Sequence, residues 1–260
     1  MPKAKDVVER NEQAIAEAAE VERMAREDAG QGVSSRQEDK FYPLMGVLQK
    51  LSPQVDPDNA AYLEGARAGS IHLRNFEPPI VNGNEGVIVQ PVYMYEEWVE
   101  WGPRERGGGM VSRFLKRPEG ARCLDKTKNR WMLGENNLQE TRMWVLNMYP
   151  HGSAAPITFI LPCQSTLNTF ARGWMTALGQ QFEPGGTVSP LWRYMWKLVT
   201  KKRVNPQGEW YTFAAERLER VEDTARYQAG KNLNLVVKKA HEEGKQLAET
   251  VAPDADDGAM

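Results

Sequence analysis

Cysteine and histidine are scarce in this sequence. Cys123 and Cys163 are its only two cysteines, and His72, His151 and His241 its only three histidines. No CxxC pair occurs and no histidine is spaced to complete a zinc site, so a metal centre and a disulfide framework are both excluded as expectations. Two free, buried thiols remain. None of the histidines sits in a nucleophile or metal motif. No GK[ST] follows the glycines at Gly107, Gly108 and Gly109, which rules against a phosphate-hydrolysing loop. Carboxylates are thin in the middle of the chain, where only Glu105, Glu119, Asp125, Glu135, Glu140 and Glu183 lie between Trp101 and Arg203. A metal-dependent nuclease needs clustered acids. The sequence therefore predicts no catalytic residue, no metal and no cofactor, and the protein is read as a non-enzyme.

Long apolar runs are missing as well. None approaches the roughly 20 residues of a membrane span, and the opening MPKAKDVVERNEQ lacks the apolar core of a signal peptide. An intracellular protein with no membrane partner is expected.

What is present is a soluble composition, 41% hydrophobic and 26% charged over 260 residues, enough for a substantial core. The net charge of -2 conceals a polarised distribution. Residues 1–40 carry seven basic and ten acidic groups, and residues 214–260 again seven and ten. Between Trp101 and Arg203 there are sixteen Lys or Arg against six Asp or Glu. A strongly basic segment thus lies between mildly acidic flanks.

Residues Val7 to Asp28, rich in Ala and Glu, read as a solvated helix, and Gly30 to Asp39 as a linker. β-rich runs follow. Gly86 to Tyr95 predicts a strand with an edge or bulge at Pro91, and Met110 to Leu115 a second. Thr141 to Tyr149 and Pro156 to Leu161 predict a hairpin. Leu191 to Thr200 alternates, with Trp192, Tyr194, Trp196 and Leu198 on one face and Arg193, Met195, Lys197 and Val199 on the other. Glu209 to Phe213 is read as the last strand. Between the strands, Ser165 to Leu178 repeats apolar residues at helical spacing, with Ser165 as N-cap and Trp174 on the buried stripe. Beyond Phe213 the chain reads as charged helix that breaks at Gly230, resumes from Val236 to Ala248, and gives way to a short acidic tail.

The segment from Trp98 to Trp131 holds the chemistry. It carries Arg104, Arg106, Arg113, Lys116, Arg117, Arg122, Lys126, Lys128 and Arg130, punctuated by Trp101 and Trp131. A groove for single-stranded nucleic acid needs cations for phosphates and rings for base faces, and this segment supplies both. The competing reading makes Trp98, Trp101 and Trp131 core residues and the cations a solvated face. Arg193 and Lys197, projecting from one strand face, and Lys201, Lys202 and Arg203 beyond them, are read as a second part of the groove.

The order of FYPLMGVLQKLSPQV, EGVIVQPVYMYEEWVEWGPRERGGGMVSRF, RMWVLNMY, ITFILPCQSTLNTFARGWMTAL and LWRYMWKLVTKKRVNPQGEWYTF resembles a family of phage single-stranded DNA-binding proteins with an OB-like fold. The resemblance covers about Phe41 to Phe213. It implies an OB-like β-barrel with an inserted helix, and with the charged terminal helices read above the whole is expected to be mainly β with flanking helices. The divisions are residues 1–40 as a charged helical extension and linker, 41–213 as the OB-like nucleic-acid-binding domain, and 214–260 as a charged helical extension with a short acidic tail. The implied function is to coat and protect unpaired DNA in replication, recombination or transcription, in the cytoplasm of the infected bacterial host. Implied partners are single-stranded DNA, phage or host replication or transcription proteins, and further copies of the chain in a homo-oligomer. The alternative is a structural or scaffolding phage protein assembling through its charged helices.

Overall fold

The computed structural model describes residues 41–103, 110–125, 130–150, 155–206 and 208–247. The extension at 1–40 and the acidic tail fall outside these residues.

Two long strands, β4 (Val87–Trp101) and β8 (Asn136–Met148), form the spine. β4 is dense in β-branched and aromatic residues, which suit a half-buried pleated surface, and β8 adds the apolar run Met143 to Leu146. They run antiparallel from Val89 opposite Met148 to Trp101 opposite Asn137, with one slip between Pro91 and Tyr93. Pro91 has no N–H to give the ladder, so the strand bulges there, as its sequence predicts.

The two halves of this spine have different neighbours. Beside the first half of β4 lie β10 (Tyr194–Asn205) and β11 (Gly208–Arg220), and beside the second half lies β5 (Met110–Phe114). The start of β8 pairs with β7 (Arg130–Leu133), which pairs with β6 (Arg122–Asp125), and the end of β8 pairs with β9 (Ile157–Cys163). Three short strands, β1 (Met45–Val47), β2 (Ile71–Leu73) and β3 (Ile80–Val81), form a separate sheet.

Among the described residues the architecture is mainly β with two α-helices, and the expected barrel closure is absent. In the order β11-β10-β4-β8-β7-β6 no ladder joins the outer strands. The reason is geometric. Closure requires the outer strands to overlap along the barrel, whereas β10 pairs with β4 at Val87 to Val89 and β7 pairs with β8 opposite the far end of β4.

Each face of the spine carries one helix. Along β8, Leu138, Glu140, Arg142, Trp144, Leu146 and Met148 point to one side. There α1 (Leu167–Gly179) and the small sheet complete a core of Trp144, Trp174, Trp196, Phe213, Met45 and Ile71. Trp174 is 2% exposed, and its ring lies 4.6 Å from that of Trp144, so the helical stripe read from sequence is the packed one. On the opposite face Val92, Tyr95, Met143, Val145 and Ile160 meet Leu233, Val237 and Ala240 of α2 (Thr224–Glu242). Their spacing of four and three residues makes one stripe of that helix.

Three local expectations are corrected. Ser165 is not the N-cap of α1: it adopts φ 46°, its Oγ accepts a hydrogen bond from Gln139 Nε2 at 2.7 Å, and Thr166 holds the cap position. Strand β11 continues past Phe213 because Ala214 to Arg217 still pair with Val199 to Trp196 on β10. Helix α2 does not break at Gly230. The glycine lies against the sheet, where a Cβ would sit 2.7 Å from Trp192 Cβ and 3.0 Å from Gln90 Nε2.

Candidate nucleic-acid interface

At the far end of the spine, β4, β8 and β7 lie side by side, and their register decides which aromatic residues meet. Trp98 is opposite Glu140, and Trp131 is opposite Leu138. Glu140 and Leu138 are two residues apart on β8, so both indoles stand on the α1 face. Their rings meet edge to face with centroids 5.6 Å apart. The guanidinium of Arg117, in the exposed connection between β5 and β6, lies 4.4 Å from the centre of the Trp131 ring. Lys116 is exposed beside it. Among the described residues, this stack of cation on indole, buttressed by a second indole, is the one place where the basic and aromatic residues of the central segment are built into a unit.

Trp101 does not join it. Opposite Asn137 rather than Leu138, it faces the α2 side, and its indole N–H is buried without a partner among the described residues. Trp98 takes its place. Sequence alternation carries this signal, since Trp98 and Trp101 are three residues apart and strand neighbours at odd spacing face opposite ways. Arg122 is opposite Met132 and therefore faces away from Trp131, and Arg130, next to Trp131, does likewise. Both are exposed and put charge on the other side of the β6–β7 hairpin.

Arg113 is not a groove cation. Its Nε donates to Glu97 Oε2 at 2.8 Å, and the side chains are 7% and 0% exposed. Arg193, too, is engaged. It precedes β10 in a 3-10 turn, with Nε 3.0 Å from Glu183 Oε1 and its guanidinium donating to the Val221 carbonyl. Lys197 is half-buried on the α2 face, opposite Glu216, so the two do not form a stripe.

Lys201, Lys202 and Arg203 are exposed, but at the other end of the sheet. Strand β10 passes Val87 at Leu198 and continues outward, away from Trp101. The 15 residues of β4 separate the two basic groups by roughly 45 Å of strand at about 3.3 Å per residue. Lys202 is ion-paired with Glu209 at 2.5 Å, and that hydrogen bond holds its ammonium above the usual lysine range. Arg104, Arg106, Lys126 and Lys128 lie outside the described residues.

Carboxylates also occupy the α1 face. Arg142 sits between Glu96 at 3.2 Å and Glu140 at 3.8 Å, and Glu100 accepts from Asn136 at 2.6 Å. These groups are mutually paired and do not converge as a metal site. Among the described residues no three His, Cys, Asp or Glu side chains are grouped to hold a metal, and no helix is long and apolar enough to cross a membrane.

No curated protein and no solved structure matches this chain. The stacked unit, the spine and both helices all fall within residues 10–243, which match the Pam3 phage gp34-like proteins as a family, and the chain belongs to that phage family.

Proposed function

We propose that this phage protein binds single-stranded DNA, coating and protecting it in replication, recombination or transcription without reading its sequence and without acting on it chemically. The observation that carries the reading is Arg117 stacked on Trp131. A planar guanidinium on an indole presents both a π surface for a base and a charge for its phosphate, and Lys116 adds a second charge alongside. The OB-like assignment belongs to the same proposal. It draws on the long antiparallel spine whose edge strands change halfway, an antiparallel β surface of the kind on which that fold holds oligonucleotides. The site of action is the cytoplasm of the infected host, with phage or host replication or transcription proteins as partners.

Among the described residues the scaffolding alternative gains no comparable support. On the outer side of α2, Lys238 and Glu242, and Lys239 and Glu243, pair at 3.9 Å, which is a solvated face and not an apolar seam.

Titration of the intrinsic tryptophan fluorescence with oligo(dT), duplex DNA and RNA at matched salt tests the proposal. Oligo(dT) should bind most tightly, and Trp131→Ala should weaken it by about 1–3 kcal/mol with loss of quenching. Trp174→Ala is the contrast, costing about 3–5 kcal/mol of stability. Assembly of the protein without any oligo(dT) binding at low salt would sink the proposal in favour of scaffolding.

A further inference from the structure

A groove of about 380 Å³ opens between α1 and the β10–β11 hairpin. Its volume lies within the roughly 300–1,000 Å³ of small-ligand sites. Phe170, Gly173 and Trp174 form the helix wall, and Arg203, Trp210 and Phe213 the sheet wall. We propose that this groove is a second base-stacking subsite, taking one nucleobase of a bound single strand against Trp210 and Phe170, with the adjoining phosphate on Arg203. The inference rests on the single-strand reading above and extends it to the other end of the sheet.

Three observations select a base as occupant. The first is charge: among the described residues Arg203 is the one charged residue lining the groove, no carboxylate does so, and Lys201 is exposed two residues away. The rim therefore suits an anion and the walls a flat apolar ring. The second is an unused ring. Phe170 stacks on Trp174 at 5.5 Å and meets Phe213 at 5.7 Å, whereas Trp210, directly across the ladder from Arg203, has no ring partner among the described residues. The third is Gly173. Glycine is the poorest helix former after proline, yet a Cβ at Gly173 would meet nothing within 4 Å. The chain's own packing does not demand a glycine here. Its absent side chain instead leaves the helix wall open.

The experiment uses the full chain and three variants beside Trp131→Ala: Gly173→Leu, which fills the groove without deleting a contact, Trp210→Ala and Arg203→Ala. Affinity for oligo(dT) is measured with thermal melting as the folding control, and an oligo(dT) containing 5-iodouracil is photo-crosslinked and mapped by mass spectrometry. Gly173→Leu should melt no lower than the parent yet bind about 5- to 150-fold more weakly, the loss of one stacked base. Trp210→Ala should weaken binding similarly, and each effect should add to that of the distant Trp131→Ala. Crosslinks should include Trp210 or Phe170. If the parent binds and Trp131→Ala weakens it, but Gly173→Leu binds normally and no crosslink maps to the groove, the subsite is overturned while the single-strand reading stands. If N-acetyltryptophanamide binds the groove and Gly173→Leu abolishes only that, the occupant is a protein side chain and the subsite is likewise overturned. A parent that binds no oligo(dT) overturns both.

Discussion

Arg113 of β5 and Glu97 of β4 are ion-paired in the interior, where β5 lies beside the second half of β4, and neither side chain has appreciable exposure. Charges taken out of water are costly to leave alone. Arg113→Ala should therefore lower stability by about 3–5 kcal/mol, read as a shift in the urea midpoint. Replacing both residues together, Glu97→Met with Arg113→Met, should recover most of that loss, since no charge is stranded. Recovery by the double variant separates a buried pair from a mere packing defect. A triple change of Arg104, Arg106 and Arg113 to Ala is accordingly no clean probe of DNA contact.

This pair shows where sequence reading reached and where it stopped. Parts of β4, β5, β10 and β11, the hairpin of β8 and β9, the bulge at Pro91 and the buried stripe through Trp174 were legible, because alternation, helical spacing and proline's missing N–H act within a few residues, although Leu191 to Arg193, read as strand, form a 3-10 turn. Arg113 looked like its basic neighbours. Its burial depends on Glu97, sixteen residues away, and on α2-face packing that no local pattern announces. The short strands β1 to β3, β6 and β7 have too few residues to display a period. The division of the cations between two ends of the sheet follows from register, which sequence leaves open.

Gly230 illustrates a residue whose local preference and tertiary role disagree. By helix propensity Gly230→Ala would stabilise an exposed helix by about 1 kcal/mol. Here the added Cβ would lie 2.7 Å from Trp192 Cβ, beside Gln90, whose Nε2 donates to the Trp192 carbonyl at 2.9 Å. Overpacking of this kind costs about 1–3 kcal/mol. The variant should melt below the parent, and a higher melting temperature would mean that α2 is not seated on the sheet as described.

Glu183 ties down the turn between α1 and β10. Ser189 Oγ donates to it at 2.8 Å, and Arg193 and Arg220 pair with its two oxygens. Burial raises its pKa, but the Ser189 hydrogen bond and the two guanidinium charges outweigh that effect and hold it below the usual carboxylate range. A carboxylate depressed on folding contributes stability above its unfolded pKa of about 4.3, and the contribution disappears as pH falls through the folded value. The parent should lose stability over that acid window. Glu183→Gln should be less stable than the parent at pH 7 and should show a shallower acid decline; identical profiles would remove Glu183 from the account.

Salt dependence tests which cations are available to DNA. Each phosphate neutralised on a single strand contributes about -0.7 to the slope of log K against log salt. Arg117 and Arg203 are exposed at opposite ends of the sheet, whereas Arg193 is committed to Glu183 and the Val221 carbonyl. Arg117→Ala and Arg203→Ala should each make the slope shallower by about 0.7, and the double variant by about 1.4, because sites this far apart act independently. Arg193→Gln should cost stability by removing one of the two guanidinium partners of Glu183 and should leave the slope unchanged. A parent slope near zero would deny phosphate contact altogether. A slope that changed with Arg193 and not with Arg117 would instead place the strand across the Glu183 turn, away from the stacked indoles.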